Sequence, residues 1–207
     1  MGTDHGAYGP GERVEQLPVM QGAVFGSVAH VTGLVVTYLV LVLDSDFEFG
    51  ASSAAETGTV DELGWLFFSA HFARVERVVP FGGADPQRAH LITETSFQLP
   101  AVVLYAIPVV LLIGAGTLLV SEADLRESSP GAYATAGATL VVGYFPFAGA
   151  GILLFETRIG VGEATFIQSP ELSSTLGLVG LAHPLCFGAV GGVLYALLSR
   201  AGAEGTE

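Results

Sequence analysis

The sequence predicts an all-α membrane protein with four transmembrane helices and one extra interfacial helix in the first outer loop. Three observations predict this class: four long stretches without a charged side chain, 51% hydrophobic residues and only 13% charged residues. A soluble domain carries about 25% charged residues. A run of about 20 apolar residues is long enough to cross a hydrocarbon core about 30 Å thick. The four predicted spans are residues 19–43, 98–120, 131–155 and 173–199.

The chain is strongly acidic and contains no lysine. Its 207 residues include 20 Asp and Glu against 7 Lys and Arg, all of them Arg, for a net charge of −13. This sign excludes nucleic acid as a partner, because nucleic-acid binding requires a basic footprint. Molar salt shortens the Debye length to about 3 Å and screens the self-repulsion of such a surface. The composition is typical of proteins from extremely halophilic archaea. It favours a protein of a halophilic archaeal cell membrane over an ordinary acidic bacterial protein.

The chain divides into a tail, a membrane domain and a short end. Residues 1–18 contain Gly, Pro and charged side chains and are predicted to form a disordered cytoplasmic tail. The four-helix membrane domain covers residues 19–199, with the connection 44–97 on the outer side, and residues 200–207 form a short tail. Both termini are placed in the cytoplasm, because the short segments beside the spans carry more Arg on that side.

The long connection contains a fifth apolar element. A capping-box pattern begins at Thr59, so a helix is predicted from about Val60 to Val79, where Pro80 stops it. Its apolar part is too short to span a bilayer. Because its aromatic side chains fall on several faces, we expect the helix to lie at the outer interface, between lipid headgroups and the ends of the bundle. The residues of this candidate outer interfacial helix are Trp65, Phe67, Phe68, His71 and Phe72.

Three of the predicted spans carry an interior proline: Pro108, Pro146 and Pro184. An interior proline removes a backbone hydrogen bond and tends to kink a helix, which membranes tolerate where neighbours satisfy the freed carbonyl. Glycines and then leucines follow each proline, which would fit a repeat whose adjacent copies have inverted topology, as in some transporters. Small residues are also simply common in membrane helices, and this second interpretation is favoured.

Glycines provide the candidate helix-packing positions. Gly22 and Gly26 form a GxxxG pattern in the first span, and Gly149 and Gly151 lie in the third. Small residues let helix backbones approach closely in lipid. The sequence leaves open whether these glycines join helices of one chain or form a homo-oligomer.

His30 and His183 are the only ionisable candidates deep within the predicted spans, which hold no Asp, Glu, Lys or Arg. Proton- and ion-coupled carriers usually need an ionisable group inside the membrane. Three interpretations of this candidate intramembrane polar site stay open. The favoured one is that each imidazole hydrogen-bonds a neighbouring helix. The others are a proton or cation site, and a pair of axial haem ligands in the bundle, which makes haem a minor alternative cofactor.

The sequence gives little support for a disulfide, a metal site, or a catalytic or nucleotide-binding motif. Cys186 is the single cysteine, so no intramolecular disulfide and no metal-type cysteine spacing exists. His71 and His90 match no metal motif and are expected to be solvated loop residues. The chain contains no GxSxG and no P-loop. We therefore expect no catalytic residue, no metal and no cofactor, and we expect the protein not to be an enzyme.

Two stretches resemble a family of small haloarchaeal multi-pass membrane proteins of unknown function. Residues 63–72 (LGWLFFSAHF) are similar to that family's Gly-Trp-aromatic-Asn-Ala-His-Phe run, with Ser69 in place of Asn. Pro100 and residues 105–112 (YAIPVVLL) resemble the family's second span. Some members are labelled transporters. The resemblance implies a membrane location and a halophilic origin, and it implies no activity.

Two functions follow as hypotheses. The leading one is a non-enzymatic structural, accessory or partner-binding component that presents residues 44–97 to a protein partner. The alternative is a small transporter or channel subunit that uses His30 and His183 in the bundle. A polar cavity between the spans would favour transport, whereas a bundle packed shut by Leu, Val and Gly would favour the first hypothesis.

Overall fold

The structure is a computed structural model that describes residues 17–50, 58–78, 85–123, 125, 129–161 and 164–204. The protein is 70% helical, and four helical segments are long and apolar enough to cross a membrane. The predicted class, an all-α membrane protein with four spans, is confirmed. Of the predicted tails, residues 1–16 and 205–207 lie outside the described residues, and residues 200–204 continue the last helix. The four spans are Val19–Leu43, Val102–Glu122, Pro130–Leu154 and Leu172–Ala201.

Two spans are single helices and two are interrupted. Span 1 is α1 (Val19–Leu43) and span 2 is α4 (Val102–Glu122). In span 3, hydrogen bonds to carbonyls three residues earlier tighten the chain between residues 136 and 143 and separate α5 from α6. In span 4, a π-helix precedes His183 and Pro184. The pieces of the interrupted spans are α5 (Pro130–Ala138), α6 (Val141–Leu154), α7 (Leu172–Ser174), the π-helix (Thr175–Ala182) and α8 (His183–Glu204).

The long connection folds differently from the predicted single helix. Helix α2 (Thr59–Ser69) ends about ten residues earlier than predicted, and Val75–Val78 forms strand β1 instead. The prediction of helix up to Val79 was therefore wrong. In this strand Val75 is buried and Arg77 is exposed, whereas Glu76 and Val78 are half-buried. The remaining elements of this connection are strand β2 (Gln87–Ala89) and the short helix α3 (Leu91–Glu94).

A four-stranded antiparallel sheet, which the sequence did not predict, joins this connection to the one between spans 3 and 4. Strands β3 (Thr157–Val161) and β4 (Ala164–Pro170) form a hairpin. Strand β1 pairs with both β2 and β4, which gives the order β2-β1-β4-β3. We call this end of the bundle the cap, defined as residues 44–50, 74–78, 85–97, 156–161 and 164–171.

Asp44 ties the two ends of the first connection together. Its carboxylate accepts hydrogen bonds from the backbone N–H groups of Asp46 (3.0 Å), Gln98 (3.0 Å) and Leu99 (2.9 Å). Burial raises the pKa of the Asp44 carboxyl, but these N–H groups outweigh it, so the net pKa lies below the ordinary value. The charged carboxylate thus holds the end of α1 beside the start of α4.

The spans contact one another backbone to backbone at glycines. A Cβ atom at Gly26 would overlap the carbonyl oxygen of Leu140, and one at Gly143 would overlap that of Ala23, so α1 and α6 pack tightly. In the same way, Gly116 of α4 and Gly137 of α5 face the backbone of α8 at Gly188. Close approach of this kind supplies the van der Waals contact that holds helices together in lipid. The GxxxG pattern of α1 therefore packs within the chain, with Gly22 against Thr139.

Gly116 and Gly114 provide a matched test of this packing on one helix. Gly116→Ala should lower the thermal unfolding midpoint, because its Cβ would overlap the carbonyl oxygen of Gly188, and overpacking of this kind costs about 1–3 kcal/mol. Gly114→Ala should leave the midpoint unchanged or raise it, since its Cβ would meet no atom within 4 Å. Equal midpoints for the two variants in the same detergent would contradict the backbone contact.

Candidate functional site

Helix α2 is inserted among the spans and is not at the interface. Trp65, Phe67 and Phe68 are each 3% exposed or less. Glycines make room for them: a Cβ at Gly33 of α1 would lie 2.7 Å from Cε2 of Phe67, and a Cβ at Gly151 of α6 would clash with the ring of Phe68. The expected interfacial position is therefore corrected, because protein atoms and not lipid headgroups cover these rings.

A hydrogen bond fixes the depth of the inserted helix. Nε1 of Trp65 donates to the backbone carbonyl of Phe155 at 2.7 Å, at the C-terminal end of α6. Asp61, at the start of α2, accepts a hydrogen bond from the hydroxyl of Thr157 at 2.7 Å. The start of α2 is thus tied to the cap end of span 3, and its later residues reach further in between α1 and α6.

His71 follows α2 and is fully buried, in contrast to the solvated loop position expected for it. Its Nδ1 lies 2.9 Å from the carbonyl oxygen of Phe67, and its Nε2 lies 2.7 Å from the hydroxyl of Tyr144 in α6. A carbonyl can only accept, so Nδ1 carries the proton. In the neutral ring Nε2 is then the acceptor, and the Tyr144 hydroxyl donates to it.

His71 and Tyr144 link the two histidines proposed from the sequence. The ring of His30 lies 4.6 Å from that of Tyr144, between centroids, and the ring of His71 lies 5.0 Å from that of His183. His183 donates through Nδ1 to the carbonyl of Leu178 at 3.0 Å, in the π-helix. We call His30, Tyr144, His71 and His183 the histidine–tyrosine cluster.

The cluster is enclosed by aromatic rings. Phe67, Phe68 and Phe147 surround His30, with ring centroids 5.1, 6.2 and 5.5 Å away. Nδ1 of His30 is buried and has no hydrogen-bond partner among the described residues. Such an orphaned group costs about 1–3 kcal/mol. It marks a place where a hydrogen-bonding atom would be stabilised.

Other side chains separate His30 from His183, which bears on the haem alternative. Among the described residues no group of three or more His, Cys, Asp or Glu is arranged to hold a metal ion. Axial ligation of one haem by both His30 and His183 would place the porphyrin between the two rings, where the side chains of His71 and Tyr144 lie. The geometry therefore argues against the haem alternative.

The chain leaves α2 through a strained residue. Phe72 has a φ of 63°, a left-handed conformation that costs a non-glycine residue about 1–2 kcal/mol. The N–H of Phe72 donates to Ser69 at 2.9 Å and that of Ala73 to Phe68 at 3.2 Å, the Schellman pattern that usually ends in glycine. The ring of Phe72 is 54% exposed and stacks on Tyr105 at 4.8 Å and 9°. That stack offsets part of the strain.

The remaining helix-packing glycines differ in their surroundings. Gly151 lies directly against Phe68 of α2, whereas a Cβ at Gly149 would make only an ordinary contact with Leu176, at 3.9 Å.

Sequence reasoning missed Tyr144 and the inward position of His71. One signal was present: His71 lies four residues after Phe67, within the apolar run, so both side chains share one helical face.

Comparison with known proteins identifies a family and no activity. The model of a family of unknown function (DUF7978) matches residues 3–199. No curated protein and no solved structure matches the chain.

Tyr144→Phe tests the central hydrogen bond. The variant should lose about 1–3 kcal/mol of unfolding free energy, because it leaves the buried Nε2 of His71 without a partner. Tyr195→Phe is the control, since the described residues offer the Tyr195 hydroxyl no hydrogen bond. Reversible unfolding in mixed detergent micelles would measure both. Equal losses would show that the bond between Tyr144 and His71 contributes nothing.

Proposed function

We propose, for a chain that belongs to the DUF7978 family of unknown function, that the protein is a non-enzymatic membrane component whose cap binds a protein partner. The observation that carries this proposal is the contrast between a closed bundle and a polar cap. Glycine contacts and helix α2 fill the space between the spans, whereas exposed charged side chains such as Arg74, Glu94 and Arg158 gather on the cap.

The cap is built as a rigid recognition surface. Two separate connections contribute strands to one sheet. Arg88 joins them, since its Nε lies 3.0 Å from Glu171 and 3.9 Å from Glu76. Arg77 also binds across the two connections, donating twice to the side-chain oxygen of Gln168. A pre-ordered surface loses little entropy when a partner binds, which favours recognition.

A small transporter or channel subunit is the second candidate, and the histidine–tyrosine cluster favours it. Ionisable groups are rare inside a membrane, and they are a reason to consider a proton or ion pathway. The π-helix beside His183 is a further feature that recurs at functional sites. Transport would then require α2 to move, because its aromatic rings fill the space between α1 and α6.

One experiment separates the two candidates. A photo-crosslinking amino acid at the exposed Ser96 of the cap should give one discrete adduct in native membranes at high salt. The same label at Ser121, exposed at the opposite end of α4, is the matched control and should give none. Solute or proton flux in vesicles containing the purified protein, without any adduct specific to Ser96, would replace the proposed function with transport.

We further propose a halophilic archaeal origin, with both termini in the cytoplasm and the cap outside. The support is the net charge of −13 and the absence of lysine, together with the three-to-one count of Arg in the short segments beside the spans.

A salt titration tests the halophilic origin. The thermal midpoint of the purified protein should rise as KCl increases from about 0.1 M to molar concentrations, because the Debye length falls from about 10 Å to about 3 Å and the acidic surface repels itself less. Sucrose at matched osmolality controls for solvent exclusion. A midpoint that responds equally to sucrose and KCl would contradict the electrostatic explanation.

A further inference from the structure

The cap contains a cavity of about 190 Å³ where β1, β2 and α3 meet. Register explains how the sheet lines it: Arg77 of β1 lies opposite Gln87 of β2 on one side and Gln168 of β4 on the other. These three side chains form a polar row across the sheet. Glu94, the last residue of α3, also lines the cavity.

Arg77 is held in a fixed orientation. Its Nε and Nη2 donate to Oε1 of Gln168 at 3.1 and 2.8 Å, and Gln168 itself is 5% exposed. A guanidinium has five N–H donors in a planar fork, so this bond leaves three of them for a ligand. The amide nitrogen of Gln168 donates to no described residue and adds a neutral donor beside them.

The charges around the cavity are unevenly compensated. Arg88 forms ion pairs with Glu171 at 3.0 Å and Glu76 at 3.9 Å, so its charge is balanced. Within the described part of the chain, neither Arg77 nor Glu94 has an ion-pair partner. One unbalanced cation and one unbalanced anion thus line the same small cavity.

We propose that this cavity binds a small zwitterion, with its carboxylate or phosphate on Arg77 and Gln168 and its ammonium on Glu94. A simple anion would be repelled by Glu94, in a protein whose net charge is −13. A simple cation would be repelled by Arg77. A ligand that carries both a positive and a negative charge can pair with Glu94 and Arg77 at the same time. This proposal does not depend on whether a protein partner binds the cap.

Two sources supply this chemistry: a free amino acid and the aminophosphate headgroup of a lipid. The cavity lies at the ends of the spans, since α3 precedes span 2 and Gln168 precedes span 4. Both sources can therefore reach it.

The test uses the full chain in phosphatidylglycerol nanodiscs, with calorimetric titration of glycine and of phosphoethanolamine. We expect saturable binding of at least one of them, and none of acetate or methylamine, which each carry one sign. Glu94→Gln and Arg77→Gln should each weaken binding at least tenfold. Glu156→Gln and Arg158→Gln, exposed cap residues that do not line the cavity, are the matched controls and should bind as the parent does.

Each outcome decides the proposal. Adding phosphatidylethanolamine to the nanodiscs should compete with the free zwitterion if the natural source is a lipid, and should leave its binding unchanged if the source is soluble; both results support the site. Absence of binding to the folded parent protein, equal binding by the Glu94→Gln variant, or binding of acetate alone would overturn it. Glu94 forms no ion pair with the rest of the described fold, so its variant remains informative even if Arg77→Gln fails to fold.

Discussion

Insertion of the aromatic residues of α2 between spans 1 and 3 is the contact on which the rest of the structure depends. Gly33 and Gly151 lack the Cβ atoms that would clash with the rings of Phe67 and Phe68. In lipid, the hydrophobic effect adds little to helix association, so tight van der Waals contact has to supply it. Trp65 adds a directional hydrogen bond to the end of α6, which fixes the register of the inserted helix.

Several features of the protein follow from this insertion. It carries His71 to the hydroxyl of Tyr144, which a loop residue on the surface would not reach. It also requires the chain to turn sharply after α2, and the left-handed backbone conformation of Phe72 makes this turn. The chain then runs directly into β1, which pairs with β2 and β4 and so builds the cap. The closed bundle and the polar cap therefore share one structural cause.

The spans could be located from sequence because a charged side chain in hydrocarbon is costly and four long stretches avoid it. The sheet could not, since β1 pairs with β4, which lies beyond spans 2 and 3, and no local pattern reports that pairing. The depth of α2 was also hidden. The side chains of Trp65, Phe67 and Phe68 require apolar surroundings, which either lipid or protein can provide. The composition of α2 does not distinguish the two. Only the glycines of the other spans decide between them.

Trp65 allows the most direct test, because it is the only tryptophan of the chain and is 3% exposed. Its fluorescence should be blue-shifted in reconstituted vesicles. Both aqueous acrylamide and lipids brominated near the headgroup should quench it only weakly, since protein covers the ring on all sides. Strong quenching by the brominated lipids in a folded sample would place α2 at the interface and contradict the insertion.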